Sequence, residues 1–162
     1  MPQHQLLFVN LPVADLARSR AFFTQLGYRF DEDFCDGESL CLRLGPAHFA
    51  MLLRADLFAG FHDQPTAPPG AVESVLCLTA DSREQVDALV DRAVLAGGRD
   101  VRRSDLGFLY GRSYSDLDGH VWEVMWMDPD PLRGGAADGA GARVENGTRA
   151  GGVVPRLDEE MR

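Results

Sequence analysis

Apolar and polar residues alternate over eight short stretches of the first 129 residues, and two longer stretches among them repeat at intervals of three and four. LLFVNLPVAD leads into LARSRAFFTQLG and then YRF, and SVLCLTAD leads into SREQVDALVDRAVLAGG and then RDV. Each segment reads as a strand, an Asp able to cap a helix, an amphipathic helix, a Gly able to end it and a new strand. In the second helix Val86, Leu89, Val90, Ala93 and Val94 share a face, and Asp81 with Glu84 makes a candidate capping box. The remaining strand-like pieces are YRFDEDF, SLCLRL and HFAMLLR in the first half, and RDVRR, FLYGRSYS and HVWEVMW in the second. The pattern predicts an α+β fold with βαβββ written twice, in modules over about 4–54 and 73–128 joined by a linker at 55–72.

A length of 162 residues, 45% hydrophobic and 25% charged, suits one globular domain. No apolar run approaches the roughly 18 residues of a membrane span, and MPQHQLLFVNLP lacks the parts of a signal peptide, so no membrane partner and a cytoplasmic location are expected. Asn146-Gly147-Thr148 is then an idle sequon. From residue 130 the chain turns rich in Gly, Ala, Pro and charge, which predicts a domain over 1–129 and a flexible tail over 130–162, with Val153, Val154 and Leu157 as candidate anchors. All 16 basic residues are arginine, set against 25 acids for a net charge of -9, and Arg102-Arg103 is the one adjacent basic pair, which argues against a nucleic-acid partner. Cys35, Cys41 and Cys77 form no disulfide framework, and Cys41 and Cys77 read as small apolar strand residues.

FVNLPVADLARSRAFFTQLGYRF, LCLTADSREQVDALVDRAVLAGG and YGRSYSDLDGHVWEVMWMDP, in that order and spacing, resemble the vicinal oxygen chelate superfamily. That superfamily includes glyoxalase I, bleomycin-resistance proteins, fosfomycin-resistance proteins and extradiol dioxygenases. The resemblance implies a U-shaped, eight-stranded mixed sheet around a cleft with helices outside, and a homodimer. In the metal-dependent members it also implies a divalent ion in the cleft.

Glu123 matches the last metal ligand of those members. His120 stands three residues before it, but on a strand the two point to opposite faces, and a turn role beside Asp118-Gly119 is expected for His120. The other ligand positions of the family fall at Phe8, Met51 and Val75, none of which binds a divalent ion as His or Glu does. A shift of one residue brings in Val9, Ala50 and Ser74, or Leu7, Leu52 and Leu76, while His4 and His48 lie off the pattern. No metal and no other cofactor is therefore expected, and Glu123 stands as a lone candidate catalytic carboxylate.

Alternation sends Phe8, Asn10, Phe49, Met51, Val75 and Cys77 into the cleft with Thr79, Glu123 and Met125. Leu7, Val9, Leu11, Leu76, Leu78, Trp122 and Val124 are expected beneath the helices, and Trp126 is read as core. Tyr110, Arg112 and Tyr114 share one face, and Tyr110 and Arg112 are placed toward the cleft, with solvent as the alternative; in the cleft Arg112 could pair with Glu123. Leu57, Phe58 and Phe61 precede a Pro-rich stretch and suit either a short anchoring helix or a lid. Two functions fit: a metal-independent module that holds a small organic molecule, as bleomycin-resistance proteins do, or an enzyme of the glyoxalase or extradiol dioxygenase type. The enzyme needs either a divalent metal held by other residues or Glu123 acting as general base.

Overall fold

The computed structural model describes residues 2–68 and 70–129. The first module runs β1 (Leu7–Val13), α1 (Leu16–Gln25), β2 (Arg29–Phe30), β3 (Ser39–Arg43) and β4 (His48–Arg54), and a short helix α2 (Ala55–Ala59) follows. The second runs β5 (Val75–Thr79), α3 (Arg83–Leu95), β6 (Arg99–Asp105), β7 (Leu109–Ser115) and β8 (Val121–Met127). The strands form two four-stranded mixed sheets, ordered β1-β4-β3-β2 and β5-β8-β7-β6, so the βαβββ repeat is present in both halves. In each sheet the first strand pairs parallel with the last, and the remaining pairs are antiparallel. The tail at 130–162, with Val153, Val154 and Leu157, lies outside the described residues.

Both helices start and stop on local chemistry. Asp15 caps α1 by accepting the Arg18 N–H at 3.0 Å. On α3 the cap is Ser82 rather than Asp81: its hydroxyl accepts the Gln85 N–H at 3.2 Å, and the Gln85 side chain accepts the Asp81 N–H at 3.0 Å. The helices end at Gly27 and Gly97, whose φ values of 96° and 104° suit a residue without Cβ. The predicted strand YRFDEDF is shorter than expected. Only Arg29–Phe30 pairs, and Glu32–Phe34 turns as a 3-10 helix that leaves Phe34 in solvent.

One core joins the modules. Leu11, Leu42 and Leu52 from the first sheet and Tyr114, Trp122 and Val124 from the second meet on the two helices. Phe23 of α1 packs edge-on against Trp122 with centroids 5.3 Å apart, so the first module's helix also packs on the second module's sheet. Polar ties cross the same boundary: Ala14 N–H donates to Asp118 Oδ1 at 2.9 Å, and Arg92 Nε donates to the Leu26 carbonyl at 3.2 Å. These contacts orient the outer faces of both sheets, which carry the candidate site.

Candidate functional site

On β1 and β4, residues of one parity enter the core and those of the other turn away from the helices. Phe8 stacks on Phe49 with centroids 4.9 Å apart and an interplanar angle of 15°. Phe49 is buried while Phe8 remains 41% exposed, so the pair presents an aromatic face to solvent. Asn10 pairs in register with Met51 on the same face. On the second sheet, Val75, Cys77 and Thr79 of β5 lie beside Val121, Glu123 and Met125 of β8.

Glu123 lies opposite Cys77 in the parallel ladder. Desolvation, then the negative charge of the facing Glu123, push the Cys77 pKa up to about 11. Cys77 is thus a neutral donor at physiological pH and a poor nucleophile. Gly111 and Ser113 of β7 face the same carboxylate, and a Cβ at position 111 would stand 3.8 Å from Glu123 Oε1. The small residues of β7 leave room over the acid.

β1 and β5 are the outer strands of their sheets, and among the described residues no ladder joins them. Between them lies a cavity of about 250 Å³. Leu7, Val9, Leu44, His48 and Phe49 line it from one module, and Leu76, Cys77, Leu78 and Thr79 from the other. Of the residues expected beneath the helices, Val9, Leu76 and Leu78 pack against the core and also line this cavity, while Leu7 lines it at 54% exposure. His48 is a polar lining group that the family spacing passes over.

Six predicted site residues, Phe8, Asn10, Met51, Val75, Cys77 and Glu123, therefore lie on the faces away from the helices. Tyr110 and Arg112 do not. The β7–β8 register sets Tyr110, Arg112 and Tyr114 opposite Trp126, Val124 and Trp122, on the core side beneath α3. There the Tyr110 hydroxyl donates to Asp87 at 2.6 Å, and Arg112 bonds Asp87, Asp91 and Asp100, so it does not serve Glu123. A bulge between Asp100 and Arg102 puts Asp100 and Arg103 on that same face. Trp122 is fully buried against Tyr114 and Phe23, as expected of a core residue.

The segment after β4 forms the short helix α2, packed on β1 and β4, with Leu57 and Phe58 half-buried and Phe61 exposed. That arrangement is the anchoring helix of the two expected alternatives. Among the described residues no group of three or more His, Cys, Asp or Glu side chains is placed to hold an ion. No described helix is long and apolar enough to cross a membrane.

Residues 5–45 match the bleomycin resistance protein-like N-terminal family. Among solved structures, the chain is similar to a hypothetical protein from S. aureus at 25% identity and a TM-score of 0.66, covering 77% of this chain and 95% of that one. A glyoxalase-related enzyme from Fulvimarina pelagi is 20% identical with a TM-score of 0.65, covering 76% of this chain and 88% of that one. A lactoylglutathione lyase from Agrobacterium tumefaciens is 19% identical with a TM-score of 0.58, covering 78% and 96%. No curated protein matches the chain.

Proposed function

We propose that this chain, whose paired βαβββ fold and N-terminal family match are similar to those of the vicinal oxygen chelate superfamily, binds a small organic molecule at the seam between its modules without a metal. The observation that carries this reading is the position of Glu123. It is the one carboxylate at the four family ligand positions, the others being Phe8, Met51 and Val75, and it lies opposite Cys77 on the face of its sheet away from the helices. A lone carboxylate on an apolar, partly aromatic surface orients a ligand by accepting its hydrogen bond, while the surrounding surface supplies the apolar contact. The stacked Phe8–Phe49 pair suits a planar ring, so the ligand class is an aromatic amine or phenol rather than an aromatic acid.

Thermal-shift titration with panels of aromatic amines, phenols and carboxylates tests this. Amines or phenols are expected to raise Tm, carboxylates to leave it unchanged, and Glu123→Gln to weaken the binders by about 10- to 100-fold, the range of a hydrogen bond to a charged group. Elemental analysis of the same preparation is expected to show no stoichiometric zinc, nickel, manganese or iron. A full equivalent of metal that is lost in Glu123→Ala would overturn the reading in favour of a metalloenzyme. Metal-free turnover of a hemithioacetal or a catechol that disappears in Glu123→Gln would instead make Glu123 a general base.

A second copy of the chain is the proposed protein partner. Leu7, Phe8 and Val75 remain 54%, 41% and 55% exposed around the seam, and a homodimer would cover them. Sedimentation is expected to give a dimer at high micromolar concentration that Phe8→Glu disperses, and a monomer in the parent protein refutes it.

A further inference from the structure

Cys35 and Cys41 are drawn together where β2 stops short. The β2–β3 ladder ends at Phe30 and Leu42, after which the chain turns through the 3-10 segment Glu32–Phe34 and returns with Cys35 beside Cys41. The loop serves both main-chain groups of Cys41. The Cys41 N–H donates to Cys35 Sγ at 3.3 Å, and the Cys41 carbonyl accepts the Asp31 N–H at 2.8 Å. The Asp31 carbonyl in turn accepts the Cys35 thiol at 3.1 Å, which closes the set. Because N and Cα are about 1.46 Å apart, the Cys35 sulfur lies no more than about 4.8 Å from the Cys41 Cα.

The two thiols differ in access. Cys41 is fully buried, whereas Cys35 is half-buried on a loop whose other residues from Glu32 to Glu38 are exposed. An oxidant therefore meets Cys35 first, and the exposed loop has room to close the remaining distance. Burial, then the charges of Asp31 and Cys35, raises the Cys41 pKa, which keeps that thiol protonated and slow to react with an oxidant by itself. The third cysteine, Cys77, stands on β5 of the other module, opposite Glu123.

We propose that Cys35 and Cys41 form a reversible disulfide, which locks the 31–38 loop to β3 when the protein meets a hydroperoxide. The Cys35 thiolate attacks the peroxide oxygen, the O–O bond breaks, and an alcohol or water leaves as Cys35 becomes a sulfenic acid. The Cys41 sulfur then attacks the Cys35 sulfur. The S–S bond forms as the S–O bond breaks, Cys41 gives up its proton, and water leaves. Together the two sulfurs lose two electrons, and the peroxide gains them. A thiol reductant reverses the bond by exchange. Cys41 lies opposite Met51, so the lock acts on the strand next to a predicted site residue. The inference does not depend on what the seam binds.

Oxidation of the full chain with a small excess of hydrogen peroxide, followed by peptide mapping, provides the test. Trypsin releases both cysteines in one peptide, Phe30–Arg43, which should weigh two hydrogens less after oxidation and regain them with dithiothreitol. Cleavage after Glu38 should leave its parts joined. Cys77→Ser keeps only these two thiols, and its titration should fall from two per chain to none without any chain-to-chain bond. Hydrogen–deuterium exchange protection of residues 31–39 should rise several-fold in the oxidised parent. Cys35→Ser should lose every one of these responses. Oxidation at Cys35 that leaves Cys41 titratable, a bond to Cys77 or to a second chain, or unchanged protection of the loop overturns the proposal.

Discussion

Asp116→Ala is expected to destabilise the protein by about 3 to 4 kcal/mol, more than the loss of most surface carboxylates, because four donors converge on this side chain. Oδ1 accepts the backbone N–H groups of Asp118, Gly119 and His120, each at 3.0 Å, and closes the turn between β7 and β8. Oδ2 accepts the indole N–H of Trp122, also at 3.0 Å, and Trp122 is fully buried at the centre of the core. Water can reach the turn amides in the variant, since Gly119 is exposed, but it cannot reach the indole. A buried donor left without an acceptor costs about 1 to 3 kcal/mol, so the indole dominates the loss. Trp122→Phe removes that donor, and Asp116→Ala in its background should cost about 1 to 2 kcal/mol less than in the parent. Urea midpoints of the four proteins measure the coupling. Additive losses would show that the carboxylate serves the turn alone.

The same turn shows how far the sequence could be read. The repeat, the alternation in LLFVNLP and HVWEVMW, and the glycines after each helix carry the two modules without any tertiary information, because each is a local preference with a fixed period. Alternation says which residues share a face and leaves open which face is buried. For YGRSYS alternation leaves Tyr110 and Arg112 to the cleft or to solvent and does not point to the core. Pairing the strand with HVWEVMW puts Tyr114 opposite Trp122, which fills the core, and so sends the small residues Gly111, Ser113 and Ser115 toward the site. Asp87 and Asp91, four apart on α3, were the legible sign of where Arg112 belongs. The bulge at Val101 had no such sign, and it is what brings Asp100 to the same arginine. At the α3 start, Ser82-Arg83-Glu84-Gln85 carries the capping-box pattern one residue later than Asp81, with Gln85 reaching back to the Asp81 N–H. The contact between Cys77 and Glu123 depends on the parallel register of β5 with β8, which no local pattern encodes.

Arg112→Met should cost about 2 to 3 kcal/mol near neutral pH and leave ligand affinity at the seam unchanged. Its side chain is 10% exposed, with Nη1 3.0 Å from Asp87 and 2.8 Å from Asp91, and Nη2 2.5 Å from Asp100. Methionine keeps much of the apolar stem and leaves three carboxylates facing one another around the vacated guanidinium. Removing one member of a fully buried pair costs about 3 to 5 kcal/mol, but these aspartates are 38%, 63% and 47% exposed, so solvent screening brings the figure down. The pH dependence identifies the cause. Burial raises the Asp87 pKa, but hydrogen bonds from Tyr110 and Arg112 more than offset it and hold the group below the usual carboxylate value. A depressed folded-state pKa contributes stability that is present above the unfolded value of about 3.9 and is lost as pH falls through the folded one. Asp116, raised by burial, contributes with the opposite sign, equally in parent and variant. The stability gap between parent and Arg112→Met should therefore narrow from pH 7 toward about pH 3, as Asp87 loses the charge that Arg112 balances. Arg112→Lys should recover only part of the loss, because a single ammonium cannot reproduce the fork that serves three acceptors. Urea unfolding across that pH range decides the matter. A gap that stays constant would assign the loss to packing alone, and a fall in ligand affinity would return Arg112 to the cleft.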